Sequence, residues 1–328
     1  MVNPISKKVT SSRRLNARQP DKDNKRSYRH VIMTSLKMSQ EDTNHFNECH
    51  EAFALREKAL DTFTDWASTV FRDAVVSKIA LDYVKDGNTG RKRLEALGVG
   101  SGSGEIDIMF LEQMVKKYSN IYFTSLELSS ENTALFKSKV SRGTIENVTW
   151  DWKQLSWDNY RFYNVKSREP KLFHFICTVH SLIYIRDVDQ AVMNMYESLD
   201  DGGVLLMIVA SEESGSYKLR TKFPQLYIED GLSHVSSAEV RKILKTHGIP
   251  HQILSQPSRV DITTVFQKGR KEGSQLVDHL SKRVNFLKTA SPRMVNEFIS
   301  YLKSPQCSER EQQSYLLVND WDAFIVTK

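Results

Sequence analysis

The segment Gly98-Val-Gly-Ser-Gly-Ser-Gly104 is followed at once by Glu105, and a second carboxylate, Glu127, stands at the end of the next apolar run. Glycine adopts backbone angles closed to other residues and lets a ligand approach the main chain, so such a run can cradle a ligand. A helix opening at Glu105 would turn unpaired N–H groups toward the same place, which is the chemistry of a nucleotide-type pocket. A phosphate loop of the GxxxxGK[ST] type is excluded because no Lys-Ser or Lys-Thr follows the glycines. A GxGxxG dinucleotide fingerprint fails as well, since Ser103 or Glu105 stands where its last glycine belongs.

What remains is GxGxG followed by an acid. Glu105 at a helix start opposes a pyrophosphate but suits a ligand with a positive amino group and a sulfonium. Glu127, about twenty residues beyond the glycines, is placed to accept hydrogen bonds from both hydroxyls of a ribose. Those features describe S-adenosylmethionine.

The elements that must position these residues alternate. Residues 41–83 read as helical, with Phe53, Leu60, Phe63, Trp66, Ala67, Val70 and Phe71 recurring near a 3.6 period until Asp86-Gly-Asn-Thr-Gly90 breaks the pattern. Leu94–Val99 is a short strand; Ile106, Met109, Phe110 and Met114 mark a helix face; Ile121–Leu126 is a second strand, Thr133–Val140 a helix and Val148–Trp152 a third strand. A fourth strand, Leu172–Val179, precedes a stripe of Val188, Ala191, Val192, Met195 and Leu199. Asp201-Gly202-Gly203 stops that helix, and Val204–Val209 is a fully apolar fifth strand, as at the centre of a sheet. Ser236 with Glu239 forms a capping box, and Ser291-Pro292 opens another helix. Gln252–Ser255, Val260–Phe266, Tyr315–Val318 and Ala323–Thr327 are strand-like and are expected to close the sheet.

Composition limits the partners. The formal charge of +6 over 328 residues suggests polyanions until its location is read. Residues 1–38 hold ten basic side chains and two acids, a net of +8, so the rest of the chain is −2. Residues 1–40 therefore read as a basic tail, either disordered and solvated or a mitochondrial presequence, ahead of one domain over 41–328. The expectation is a cytoplasmic monomer that binds neither nucleic acid nor membrane, since the longest apolar run, Val204–Ala210, is far below the roughly twenty residues of a membrane span. Cys49, Cys177 and Cys307 are odd in number and widely spaced, which argues for a reducing compartment. His247 and His251 have helical ligand spacing, but Gly248 and Pro250 interrupt them, and no metal is expected.

Leu97-Gly-Val-Gly-Ser-Gly-Ser-Gly-Glu-Ile-Asp-Ile108 resembles the first motif of class I S-adenosylmethionine-dependent methyltransferases, and in detail the histamine N-methyltransferase family. The likeness continues through Leu126–Asn132, Glu146-Asn-Val148, Leu182–Asp187, Lys218-Leu219, Phe223-Pro-Gln225, Asp278 to Phe286 and Asn319-Asp320, covering about residues 45–327. It implies an α/β, Rossmann-like fold: a mostly parallel seven-stranded sheet, helices on both faces, and a small substrate lid near 41–70, 211–235 and 268–303. It also implies S-adenosyl-L-methionine as cofactor, S-adenosyl-L-homocysteine as product, and cofactor contacts at Gly100, Ser101, Gly102, Glu127, Leu128, Asn132, Ser156, Trp157 and Val179.

The substrate positions depart from the family. Ala59 stands where a glutamate holds the amine, with Glu57 and Asp61 nearby; His180 replaces a glutamine, and Ile183 the first of an aromatic pair that leaves Tyr184. Two pocket tryptophans fall near Ser216 or Tyr217 and at Arg220, a lid phenylalanine becomes His279, and a terminal asparagine becomes Asp320, while Phe46 and Phe223 keep aromatic character. Losing the tryptophans removes cation–π surface for a small ammonium. An inward Arg220 would favour a carboxylate instead.

The expected activity is thus N-methylation of a small imidazole- or amine-containing metabolite, histamine-like or, with a carboxylate, histidine- or carnosine-like. A descendant that binds cofactor without catalysis is the alternative. His180 would orient the nucleophile or accept its proton, with Tyr184 and Asp320 fixing the substrate.

Overall fold

The computed structural model describes residues 42–57, 59–80, 93–143, 145–227 and 234–328, with the side chains of Thr43, Ala59 and Leu60 outside the description. The basic tail and the Asp86–Gly90 turn lie outside the described residues. Helices α1 (Thr43–Glu57) and α2 (Ala59–Trp66) run into a π-helical stretch, Ala67–Val76. Then β1 (Leu94–Val99), α3 (Glu105–Met114), β2 (Ile121–Leu126), α4 (Ser130–Arg142), β3 (Val148–Lys153), α5 (Trp157–Lys166), β4 (Phe173–Val179), α6 (Val188–Glu197) and β5 (Leu199–Ala210) alternate. After them come α7 (Gly215–Lys222), α8 (Ser237–Thr246), β6 (His251–Gln256), β7 (Arg259–Asp261), α9 (Lys271–Ser281), α10 (Phe286–Thr289), α11 (Pro292–Leu302), β8 (Ser308–Glu311), β9 (Ser314–Val318) and β10 (Trp321–Thr327).

The main sheet has seven strands in the order β3-β2-β1-β4-β5-β10-β6, all parallel except β10, which runs antiparallel to both neighbours. Its central strands bury both faces, and alternation sorts them. Leu94, Ala96, Phe175, Cys177, Val204, Leu206 and Ile208 join one core with Phe71 and Phe110, while Leu97, Val99, Ile176, Leu205 and Met207 join another with Val192, Met195 and Leu244. The α8 capping box is present, with Glu239 accepting from the Ser236 backbone N–H at 2.8 Å, and Ser291 caps α11.

The structure departs from expectation in the strands near the C-terminus, at Leu199 and at one helix. Val260 and Tyr315–Val318 do not enter the main sheet: β7, β9 and β8 make a separate antiparallel three-stranded sheet, and Thr263–Phe266 winds into a 3-10 turn. Short apolar runs do not reveal which sheet they join, because the partner strand decides. On α3 Phe110 and Met114 are buried together with Asp107, Leu111 and Gln113, and Ile106 and Met109 pack half-buried against the same core as expected. Leu199 opens β5 rather than continuing α6, which ends at Glu197. Helix α5 went unrecognised because it buries only Trp157 and Tyr160 and shows no apolar stripe.

A third apolar cluster gathers Phe53, Leu219, Phe223, Leu226, Val260, Leu276, Phe286, Phe298 and Leu317 from α1, α7, β7, α9, α10, α11 and β9. No helix among the described residues is long and apolar enough to cross a membrane. At the start of α7, Gly215 packs against the residue that precedes β8: an added Cβ would lie 1.9 Å from the Cys307 carbonyl oxygen. Gly215→Ala should therefore cost about 1–3 kcal/mol. Urea unfolding should show a lowered midpoint, and an unchanged midpoint would contradict this packing.

Candidate active site

Parallel register brings the ends of five strands to one edge. Val99 pairs with Leu126 and with Thr178, Leu126 with Lys153, and Thr178 with Met207. The segments that leave those strands therefore meet in one place. The glycine loop turns there through left-handed backbone angles at Gly100, Gly102 and Gly104 (φ 71°, 56° and 83°). The Leu126 carbonyl accepts from Gly100 N at 2.9 Å and Ser101 N at 3.1 Å. Glu127 extends the clamp, its carboxylate accepting from Gly102 N and from Ser129 N, each at 2.8 Å.

Each glycine faces a different neighbour. A Cβ on Gly100 would lie 2.5 Å from Ser181 Cβ and one on Gly104 2.1 Å from the Phe136 ring, but one on Gly102 would meet nothing within 4 Å. The loop is thus packed at its ends and open at its middle, as a ligand cradle requires. Ser181 fastens it from the β4 side, donating to the Val99 carbonyl at 2.7 Å and pairing with the Thr178 hydroxyl at 2.5 Å.

Of the other residues implied for the cofactor, Leu128 is exposed beside Glu127, and Asn132 lies in the first turn of α4, where Ser129 Oγ accepts from its backbone N–H. Ser156 caps α5, Trp157 is buried with its indole Nε1 unpartnered, and Val179 ends β4.

His180 follows β4 with a left-handed backbone (φ 52°), held by its N–H donating to Ile208 O at 2.8 Å. For a non-glycine residue this is an uncommon conformation that concentrates at functional sites. Its ring meets Phe63 edge-on at 6.3 Å, and Phe63 stacks on Trp321 at 4.9 Å. His180, Leu182, Ile183, Val209, Ala210 and Arg220 line one cavity of about 40 Å³. Arg220 therefore points inward.

No family model matches the chain. Histamine N-methyltransferase of Danio rerio is 28% identical over 241 residues, 72% of this chain and 82% of its own length. Carnosine N-methyltransferase 2 of Gallus gallus is 27% identical over 235 residues, 70% of this chain and 73% of its own. In fold the chain resembles the YcgJ protein of Bacillus subtilis (TM-score 0.50, 13% identity, 78% of this chain and 97% of that one). It also resembles loganic acid methyltransferase (TM-score 0.50, 10% identity, 84% and 96%). The chain is a class I S-adenosylmethionine-dependent methyltransferase resembling histamine N-methyltransferase.

In this methyltransferase the residues implied for substrate divide into groups. Arg220, His180, Tyr184 and Tyr217 gather near the cavity, Tyr184 half-exposed on the 3-10 turn and Tyr217 donating to Glu239 at 3.4 Å. Phe46 stacks on His50, and His279 on Phe53 at 4.3 Å, so these two belong to the α1–α9 contact. Phe223 is buried against Phe298 and Tyr301, inside the third cluster. Asp320 is directed to Ser258 N and to Arg259, an ion pair within the fold. Ala59 opens α2, and its side chain lies outside the described residues. Its neighbour Glu57 ties α1 to β9, accepting from Asn319 at 2.6 Å and Ser258 Oγ at 3.0 Å. His247 and His251 turn to separate partners, Asp189 and the Ile249 carbonyl.

Charge in the cavity is one-sided. Burial works against the Arg220 guanidinium and lowers its pKa, with Tyr227, Tyr184 and Tyr217 opposing that effect, and among the described residues no carboxylate pairs with it. His180 itself is exposed at the cleft edge, but the protein packed around its ring, then the Arg220 charge, hold the imidazole down at about 4, so it is neutral at pH 7. Phe63, Trp321 and Ser181 escaped the sequence reading. A buried aromatic pair has the same sequence signature as ordinary core, and the role of Ser181 lies in its contacts with Val99 and Thr178, which only the fold creates.

Ser181→Ala would strip the buried Thr178 hydroxyl and Val99 carbonyl of a partner, at a cost of about 1–3 kcal/mol. Denaturant unfolding should register that loss, and wild-type stability in the variant would contradict the latch.

Proposed function

We propose that this methyltransferase moves the methyl group of S-adenosylmethionine to a nitrogen of a small imidazole- or amine-containing metabolite that also bears a carboxylate, histidine- or carnosine-like rather than histamine-like. The observation that carries this reading is the inward Arg220, with no carboxylate partner among the described residues, sharing a cavity with neutral His180. A guanidinium fork left without a carboxylate inside a protein is costly unless a ligand completes it. The relative named for carnosine supports the same substrate class.

The residues that fit the cofactor are those around the open cradle at Gly102. Gly100 and Ser101 would approach its methionine end, Glu127 would accept from its ribose hydroxyls, and Leu128, Asn132, Ser156, Trp157 and Val179 would enclose the rest. When bound, the cofactor supplies an activated methyl group on a cationic sulfur, and S-adenosylhomocysteine is what remains. The chain's part is to place a neutral nitrogen in line and exclude water. His180, unprotonated at pH 7, accepts the proton that nitrogen sheds or orients it. Tyr184 and Tyr217 border the substrate, and the α1–α9 contact with Phe46 and His279 serves as part of a lid built on the third cluster.

Labelled S-adenosylmethionine incubated with histamine, histidine, carnosine and aryl or alkyl amines tests this reading. Transfer should favour imidazoles that bear a carboxylate. Arg220→Ala should lower kcat/KM for those by about 10–100-fold while changing carboxylate-free amines by less than about threefold. Equal losses would remove the carboxylate assignment. Cofactor binding without transfer to any acceptor would favour a protein that kept the cofactor and lost catalysis.

A further inference from the structure

A pair of metal-ligating residue types does stand at helical spacing on an unbroken helix. His45 and Cys49 are four apart on α1, so they share one face, and no glycine or proline interrupts them. That face packs against α9. Arg56, near the end of α1, donates to both carboxylate oxygens of Glu272 at 2.6 Å, and near its start His45 Nε2 lies 2.8 Å from Asp278 Oδ2. Cys49 Sγ is 3.4 Å from the same nitrogen, and one ligand-type atom from each of the three residues lies within 4.8 Å of the others.

Hydrogen bonds alone do not satisfy this triad. If His45 Nε2 carries a proton it can donate to Asp278, and then it cannot accept the Cys49 thiol. If it is bare it accepts the thiol, but its lone pair then faces a carboxylate oxygen 2.8 Å away. A cation resolves the conflict, because all three atoms can turn lone pairs toward it. Around a tetrahedral zinc ion the ligand atoms stand about 3.3–3.6 Å apart, so the His45–Cys49 separation fits and the His45–Asp278 one has about half an ångström to open. The loop after α9 holds the carboxylate in place, with Oδ2 accepting from Asn285 N at 2.7 Å and Oδ1 from Phe286 N at 2.8 Å, the outer hydrogen bonds that orient a ligating acid. Cys49 and Asp278 are buried, while the His45 side chain keeps 24% of its surface, which leaves an ion a way in and a water the fourth position.

We propose that His45, Cys49 and Asp278 form a site for a zinc-class divalent ion that staples α1 to α9. Burial first, then Asp278 and Glu48, push the Cys49 thiol up to about 12, with Lys282 and Lys271 opposing them. Binding breaks the S–H bond, forms a sulfur–metal bond and passes the proton to solvent, with no change of oxidation state. Thiolate and carboxylate together cancel the two charges of the ion. A set of sulfur, imidazole nitrogen and one carboxylate selects zinc over calcium or magnesium, which take oxygen ligands. These three residues lie outside those assigned to the cofactor and to the Arg220 cavity, so the site does not depend on the substrate reading.

The test uses the whole protein, freed of metal with a chelator and then titrated with Co²⁺ and with Zn²⁺. Wild-type protein should bind Co²⁺ with a near-ultraviolet thiolate-to-cobalt band and the strong visible bands of a four-coordinate ion, and Zn²⁺ should displace it and raise the thermal unfolding midpoint. Cys49→Ser should abolish the thiolate band. Both Cys49→Ser and His45→Ala should weaken Zn²⁺ binding by at least about tenfold and cancel the rise in midpoint, whereas His247→Ala should bind Zn²⁺ within about twofold of wild type. No thiolate band in wild-type protein, or a band and an affinity that persist in both triad variants, would overturn the site. Should Cys49→Ser not fold, His45→Ala decides, since that side chain is only partly buried.

Discussion

The loop proposed to receive the cofactor is held by the end of β2. Three consecutive backbone donors, from Gly100, Ser101 and Gly102, are taken up by the Leu126 carbonyl and the Glu127 carboxylate. Each bond needs the left-handed turns that glycine supplies, and each needs β1 and β2 in the register that sets Val99 beside Leu126. The same register carries through β4 and β5, which delivers Ser181, His180 and Ala210 to the same edge. Local sequence, sheet pairing and site geometry are therefore one constraint read at three scales.

Electrostatics divides the edge into two regions. On the β1–β2 side three acids lie close together, with Glu105 neutralised by Lys139, Glu127 occupied by backbone donors and Asp107 buried against Cys177. On the β4–β5 side Arg220 is a half-buried cation with Tyr184, Tyr217 and Tyr227 nearby, and it helps keep His180 neutral. A cationic methyl donor suits the first region and an anionic acceptor the second. Phe63 and Trp321 stack beside the His180 ring, and Leu182 and Val209 line the cavity that His180 shares with Arg220.

Much of this was legible in the chain. The spaced glycines, Glu127 and the alternation of strands and helices were readable because each rests on local chemistry: backbone freedom, helix caps, a period of two or 3.6. The second sheet was not, since Val260 and Leu317 are apolar strand residues like those of the main sheet and only their pairing with each other separates them. The burial of Asp107 was not legible either, because an acid in the first turn of a helix usually faces water, and only the missing side chain at Gly98 makes room for it under the loop. Asp320 shows the converse. Its place in the alignment suggested substrate, yet the nearby Arg259 claims its carboxylate.

The account stands on Glu127 as the residue that joins loop to ligand. Calorimetric titration of S-adenosylmethionine into folded wild-type and Glu127→Ala protein tests that most directly, with circular dichroism confirming that both are folded. The account predicts one site in wild type and affinity weakened by at least about tenfold in the variant, as expected for loss of charge-assisted hydrogen bonds to a ribose. Equal affinity in a folded variant would contradict it.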